Sequence, residues 1–277
     1  MKTRFFHPSK PRLFSHRGSN KYPENTLPAF LDALLAGLIY IELDIWCSSD
    51  GVPMVHHDSN FLRTCGVDRD VNDLTATEIR KLDAGFHYSA DEGLTFPYRG
   101  KNISIPTLEE VLANCREALF NIEIKQSEPA IEQQVIATVE QTEMLDRVLL
   151  ASENESVTAR IRQLHPDIPT NLGFGEVVTF FSWIKSGRRD QYLPPGNALQ
   201  IPMFFQGIEL VTPDSVRAAH DVGLEVHVWT VNDFAVMKRL LGLGVDGIMS
   251  DRPGLLVKLA HPRHPRSLSN DNQLGKD

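Results

Sequence analysis

Apolar runs of four to six residues alternate along the chain with longer stretches whose apolar positions recur at helical spacing. The runs at 12–16, 40–45, 120–125, 148–151, 170–173, 198–202, 225–229 and 247–250 read as buried strands. The stretches at 26–36, 128–143, 153–164, 176–187, 213–222, 234–243 and 253–259 read as helices. Several carry visible punctuation. Thr212 precedes Pro213 as a cap, Asp233 opens the helix that ends near Gly242, and Gly37 and Gly223 sit where helices close. Eight strands alternating with helices predict an α/β fold, a (β/α)8 TIM barrel. The alternative is an open doubly wound sheet, which no GxGxxG run favours.

One segment breaks the alternation. Residues 47–106 form a small insertion between strands 2 and 3. It holds a Ser49-Asp50-Gly51 turn leading into 52–55, a short helix near 75–82 and a loop over 83–105. A further helix over 107–115 leads into the third strand. An insertion that follows a barrel strand lies on the catalytic face, and this one carries His57.

Charged residues interrupt the apolar runs where burial makes them costly. Glu42 and Asp44 are one residue apart on a strand, so they share a face while Ile41, Leu43 and Ile45 pack on the other. Glu123 and Lys125 repeat the spacing on the third strand. In a barrel, Glu42, Asp44 and Glu123 would meet at one end. Three carboxylates without a cysteine suit Mg²⁺ or Ca²⁺ better than Zn²⁺. Arg17 and Lys125 are phosphate binders beside such an ion. His16 and His57 could exchange protons with a phosphodiester, as imidazole in general titrates near neutral pH. His56 adjoins His57, and neighbouring strand residues face opposite ways, so only one of them points into the site.

Composition narrows the class. The chain has 277 residues, 42% of them hydrophobic, and no linker-like stretch, so one domain over 1–260 is expected, with a polar, disordered tail at 261–277. A net charge of −8 argues against nucleic acid. Cys47, Cys65 and Cys115 show no CxxC spacing and read as reduced thiols of a cytoplasmic protein. The first twelve residues contain no secretion-type apolar core, and no run reaches membrane-spanning length. Oligomeric state is left open.

The series HRG, PENT, ELD, DG-x-P-x-V-x-HD, EIK and VWTVN, running from His16 to Pro253, closely resembles the glycerophosphodiester phosphodiesterase family. The resemblance implies a barrel with a small inserted subdomain. It implies that Glu42, Asp44 and Glu123 hold a divalent metal, that His16 and His57 are the acid–base pair, and that Arg17 and Lys125 hold phosphate. It makes Trp229 an apolar wall of the site and selects His57, directly before Asp58, over His56. The implied reaction converts a small-molecule glycerophosphodiester and water to an alcohol and sn-glycerol 3-phosphate. The first nucleophile is either water or the substrate's own 2-hydroxyl, and either histidine could be the base.

Two competing readings stand beside it. A lysophospholipase D would use the same site on a lipid-bearing substrate and would need an apolar groove beside it. An inactive binding barrel would lack one of His16, Glu42, Asp44, His57 or Glu123, and all are present. Other residues have plainer readings. His227 is expected to be a core histidine, and Cys47 and Cys65 packing residues. Glu24 and Asn25 either cap the first helix or touch substrate. On the helix from Glu176, the Val177, Phe180, Phe181 and Ile184 stripe should face the barrel. Trp183 lies off that stripe near Lys185, Arg188 and Arg189. It reads as packing on a neighbouring helix, with membrane contact as the less favoured reading.

Overall fold

The computed structural model describes residues 3–187 and 192–260. The expected tail at 261–277, and Arg188 and Arg189, lie outside the described residues. The first half of the chain runs β1 (Arg12–His16), α1 (Leu27–Leu35), β2 (Tyr40–Cys47) and β3 (Pro53–Val55). The insertion continues through β4 (Asn60–Phe61), α2 (Leu62–Cys65), β5 (Val67–Asp70) and α3 (Ala76–Ile79). Then come α4 (Leu108–Asn114), β6 (Leu119–Ile124), α5 (Glu132–Gln141), β7 (Val148–Ala151), α6 (Glu155–Leu164) and α7 (Phe174–Ser186). The last third runs β8 (Ala198–Ile201), β9 (Phe204–Phe205), β10 (Ile208–Glu209), α8 (Pro213–Asp221), β11 (Glu225–Val228), α9 (Phe234–Gly242), β12 (Gly247–Ser250) and α10 (Pro253–Ala260).

The parallel strands follow the order β7-β6-β2-β1-β12-β11-β8. The expected strand at 170–173 is reduced to two bridging residues: Thr170 pairs with Leu150 of β7 and Asn171 with Ala198 of β8. That pairing closes the ring of a (β/α)8 barrel. Side chains replace the missing ladder. Asn171 accepts from Ser152 N at 3.0 Å and donates to Ser152 O at 3.0 Å, while Asn197 accepts from Thr170 N at 3.1 Å. The strand stops because Gly173 immediately opens α7. A Cβ on Gly173 would lie 2.6 Å from the Glu155 backbone, so the close approach of α7 to α6 requires glycine there.

Strand alternation builds the layers. Ile41, Leu43 and Ile45 of β2 pack outward with Val111, Leu112, Val135 and Val139 of α4 and α5. Phe14, Tyr40, Leu149 and Met249 fill the interior with Phe5 from the N-terminal segment. The N-terminal end of the barrel is closed by Arg12, whose guanidinium bonds both Glu225 oxygens at 2.6 and 2.7 Å and the Tyr40 hydroxyl at 2.6 Å. Polar groups are thereby paired at one end and left for chemistry at the other.

Several caps stand where the sequence placed them. Thr212 Oγ1 accepts from Ser215 N at 3.1 Å, and Asp233 Oδ1 from Val236 N at 2.8 Å. Gly37 and Gly223 adopt φ of 87° and 80° directly after their helices. β3 pairs back on β2 across the Ser49-Asp50-Gly51 turn, with Cys47 opposite Pro53. The insertion has a small core of its own, containing Met54, Phe61, Val71, Ile79 and Ile105. The β9–β10 hairpin was not expected from the pattern, being only two residues per strand. Among the described residues, no helix is long and apolar enough to cross a membrane.

Candidate active site

The chemistry-bearing residues converge at the C-terminal ends of the parallel strands. Parallel register does this: His16 pairs with Glu42 across β1 and β2, and Asp44 with Glu123 across β2 and β6. Alternation points Glu42 and Asp44 inward, where they are 2% and 0% exposed. Each of Glu42, Asp44 and Glu123 offers a carboxylate oxygen within 4.8 Å of the other two.

The sharp turn after β1 aims the next residues. Arg17 takes φ 55° and Gly18 φ 90°. A Cβ on Gly18 would stand 2.7 Å from that of Ala29, so glycine lets the turn lie against α1. Arg17 N donates to the Glu42 carbonyl at 3.0 Å and to Glu42 Oε2 at 3.2 Å. Its side chain reaches Asp44 at 3.2 Å and Glu24 at 3.2 Å. Lys125 Nζ lies 2.8 Å from Glu123 and 3.3 Å from Asp44.

Burial and mutual repulsion divide the three acids. Burial, then the Asp44 charge, pushes the Glu42 carboxyl up to about 8. Burial raises Glu123 as well, against the pull of Lys125. Burial also works against Asp44, but Lys125 and Arg17 outweigh it and hold its carboxyl below the usual range. Asn25 Oδ1 is buried without a hydrogen-bond partner, and buried Asp44 Oδ1 has no hydrogen bond beyond its ion pair with Lys125 at 3.3 Å. An all-oxygen donor set of buried acids that resist joint ionisation fits a hard divalent cation.

Both histidines are backed by a carboxylate. His16 Nδ1 lies 2.5 Å from Asp251 Oδ1, with Nε2 3.8 Å from Glu42. Asp251 is itself held by Asn232, whose Nδ2 donates to Oδ2 at 2.7 Å. Burial disfavours charge on His16, but Glu42 and the Asp251 hydrogen bond outweigh it and raise its pKa. His57 Nδ1 lies 2.6 Å from Asp58 Oδ1, and Arg63 bonds the other Asp58 oxygen at 2.6 Å. His57, His16, Arg17, Glu42, Glu123, Lys125 and Trp229 line one cavity of about 720 Å³, with Asp44 beneath. His56 turns away, is buried against Phe61 and meets the Asn60 carbonyl at 3.0 Å.

Residues 16–255 match the Glycerophosphoryl diester phosphodiesterase family. The chain belongs to this family. It is 33% identical over 255 residues to a glycerophosphodiester phosphodiesterase of Bacillus altitudinis, covering 90% of this chain and 97% of that protein. It is 32% identical over 256 residues to one from Caldanaerobacter subterraneus, covering 90% and 98%. An Oleispira antarctica phosphodiesterase, solved in complex with the product sn-glycerol-3-phosphate, shares its architecture. The TM-score is 0.72 at 26% identity, covering 91% of this chain and 97% of that one.

For this family member the structure corrects some expectations. Neither Glu24 nor Asn25 caps α1, whose N-cap is Thr26 without a side-chain bond. Asn25 Nδ2 instead donates to Asp44 Oδ2 at 2.8 Å, and Glu24 joins Arg17 and Arg63. The α7 stripe does face the barrel: Phe180 is buried in the core and Val177, Phe181 and Ile184 pack against it, and these three also line the cavity with Val178. Trp183 is buried at 8% exposure, stacked on Tyr192 with ring centroids 5.0 Å apart and near Phe180. That is inward packing. His227 is fully buried against Glu225 and Gln200, as a core histidine. Cys47 and Cys65 are buried thiols, each pushed up to about 11 by burial.

The sequence reading missed Asn25 as a partner of Asp44, and Asp251 and Asp58 as partners of the histidines. Asp58 was visible beside His57. Asp251 lies 235 residues from His16 and gives no local signal.

Proposed function

We propose that this chain hydrolyses glycerophosphodiesters to an alcohol and sn-glycerol 3-phosphate in a metal-dependent reaction with two-histidine acid–base catalysis. Glu42, Asp44 and Glu123 would hold the divalent ion, Mg²⁺ or Ca²⁺. When bound, the ion neutralises charge on a phosphate oxygen as the new bond forms. Arg17 and Lys125 bind and orient the remaining phosphate oxygens, adding charge stabilisation as the transition state develops. His16 and His57 each keep Nδ1 against a carboxylate, which fixes the ring and leaves Nε2 for the substrate. One takes the nucleophile's proton and the other gives a proton to the leaving alkoxide. Trp229 forms an apolar wall that limits water on one side.

The carrying observation is the meeting, in one cavity, of an oxygen-only acidic cluster, two cations and two carboxylate-backed histidines. The test is a panel of glycerophosphocholine, glycerophosphoethanolamine and glycerophosphoglycerol, with release of glycerol 3-phosphate as readout. Turnover should vanish on chelation and return with Mg²⁺ or Ca²⁺. Full activity in a thoroughly chelated sample would sink the metal assignment. Absence of turnover on every diester with either ion would sink the reaction.

A further inference from the structure

Arg63, on α2 of the insertion, faces two parts of the site at once. Its backbone is fixed by its neighbours: Phe61 and Cys65 on either side are buried in the insertion's own core, and His87 Nδ1 meets the Arg63 carbonyl at 3.1 Å. The side chain is half-exposed and ends between two carboxylates. Nε donates to Asp58 Oδ2 at 2.6 Å, and Nη1 and Nη2 donate to the two Glu24 oxygens at 2.9 and 2.6 Å. Each acid in turn holds a residue of the site. The other Asp58 oxygen meets His57 Nδ1 at 2.6 Å, and Glu24 Oε1 also accepts from Arg17 Nη1 at 3.2 Å. Burial opposes charge on both acids. Hydrogen bonds from Arg63 and His57 nonetheless hold the Asp58 carboxyl down at about 2, and Arg63 and Arg17 lower Glu24. Attachment of the insertion does not explain these bonds. β3 already pairs with β2, and the Tyr88 and Tyr98 hydroxyls donate to the Asn20 and Lys21 carbonyls at 2.6 and 2.9 Å. An exposed ion pair adds little stability to such contacts. What the guanidinium fork adds is direction, because it fixes two carboxylates together where a single ammonium could not.

Resting on the phosphodiesterase reading of the site, we propose that Arg63 is a positioning residue for both halves of the reaction: through Asp58 it sets the His57 ring, and through Glu24 it keeps Arg17 free to meet phosphate. The first effect is one of geometry. Without Arg63, one Asp58 oxygen loses its partner, the carboxylate is free to rotate, and the imidazole bonded to it moves with it. The second effect is one of charge. Glu24 divides its oxygens between two arginines. Without Arg63 its whole charge falls on Arg17 and draws that side chain away from the phosphate. All three guanidinium nitrogens of Arg63 are bonded to these two acids, so it acts through them rather than on the substrate.

The test uses the full chain with the ion that supports turnover. The substrate is whichever of glycerophosphocholine, glycerophosphoethanolamine and glycerophosphoglycerol the parent turns over fastest, and competitive inhibition by inorganic phosphate probes Arg17. Arg63→Met should lower kcat at least about tenfold, the scale of a small misplacement near the reacting atoms. Its Tm should fall by no more than about 4 °C. Its phosphate inhibition constant should rise at least about threefold. Adding Glu24→Gln to Arg63→Met should bring that constant back towards the parent value, because the charge that draws Arg17 away is gone. A merely structural staple gains nothing from losing a second partner. Asp58→Asn should also lower kcat, and combined with Arg63→Met it should be no more than about twofold slower than the slower single variant, since both cut the same line to His57. Arg63→Lys keeps the charge but loses the fork, and should stay at least about threefold below the parent. Tyr88→Phe removes a docking bond and should lower Tm with kcat within about twofold of the parent. Should Arg63→Met not fold, Arg63→Gln carries the same comparisons. A kcat for Arg63→Met within about twofold of the parent overturns the inference. So does a phosphate inhibition constant that Glu24→Gln leaves unrecovered, fully additive losses at Asp58 and Arg63, an Arg63→Lys variant as fast as the parent, or a Tyr88→Phe variant as slow as Arg63→Met. Each of those results leaves the parent's turnover, and with it the phosphodiesterase reading, intact. Absence of turnover by the parent on every diester removes that reading and this inference together.

Discussion

Ion affinity should depend steeply on pH, because the acidic cluster cannot ionise fully by itself. Glu42 is pushed up to about 8, and Glu123 is raised with it, while Asp44 stays charged against Lys125 and Arg17. An ion entering near neutrality must therefore displace the proton held by Glu42. Below the raised pKa, each displaced proton weakens apparent affinity about tenfold per pH unit. Between about pH 8 and about pH 6 the dissociation constant should rise by about fiftyfold, some 2.3 kcal/mol. The assay is isothermal titration calorimetry of the chelated protein with Mg²⁺ or Ca²⁺, run in two buffers of different ionisation enthalpy. About one proton should leave per ion at the lower pH. Stability supplies the cross-check. Groups with raised folded pKa values stabilise the ion-free protein fully below their ordinary value, and that stabilisation is lost as pH rises through the folded value. The ion-free Tm should therefore fall from about pH 5 to about pH 8. Asp44, shifted down, loses its contribution only in acid below that window. An ion at about a hundred times its dissociation constant should restore about 2.7 kcal/mol. A dissociation constant that does not move between those pH values, with no proton release, would refute the argument.

His16→Ala and His57→Ala should each lower turnover at least about a hundredfold. His56→Ala should spare most activity and lower Tm instead, because His56 packs on Phe61 away from the cavity. A dead His56 variant beside an active His57 variant would reverse the assignment. A p-nitrophenyl leaving group should partly rescue whichever histidine is the acid, and equal rescue of both or neither would contradict the division of labour. Asp251→Asn should lower kcat, with little change in Tm, and move the pH–rate profile to lower pH, since it removes a carboxylate that raises the His16 pKa. A loss of rate with an unmoved profile would leave Asp251 with a structural role only. Lys125→Met should lower kcat/KM and weaken competitive inhibition by inorganic phosphate, and unchanged phosphate inhibition would remove Lys125 from phosphate binding.

The alternation of strands and helices, the caps at Thr212 and Asp233, and the shared face of Glu42 and Asp44 were legible in the chain. Each follows from a period or a bond spanning a few residues. The place of the insertion and its Ser49-Asp50-Gly51 hairpin were legible for the same reason. Glu123 was legible from its strand spacing, the family resemblance chose His57 over His56, and the structure gathers both with His16 in one cavity. What tertiary structure alone decided is register and long-range contact. The pairing of Asp44 with Glu123, and the reach of Asp251 to His16, depend on how the whole barrel closes. A strand's own sequence states which face a side chain takes, but not the height at which it meets its neighbour. The fifth strand shrank to Thr170 and Asn171 because side chains took over its ladder and Gly173 began α7 at once. The α7 stripe and its barrel-facing side were visible, but that Val177, Phe181 and Ile184 would also line the cavity was not. A helix's apolar face needs only a partner, and here residues of α7 and of the β9–β10 hairpin line the same cavity as the carboxylate cluster.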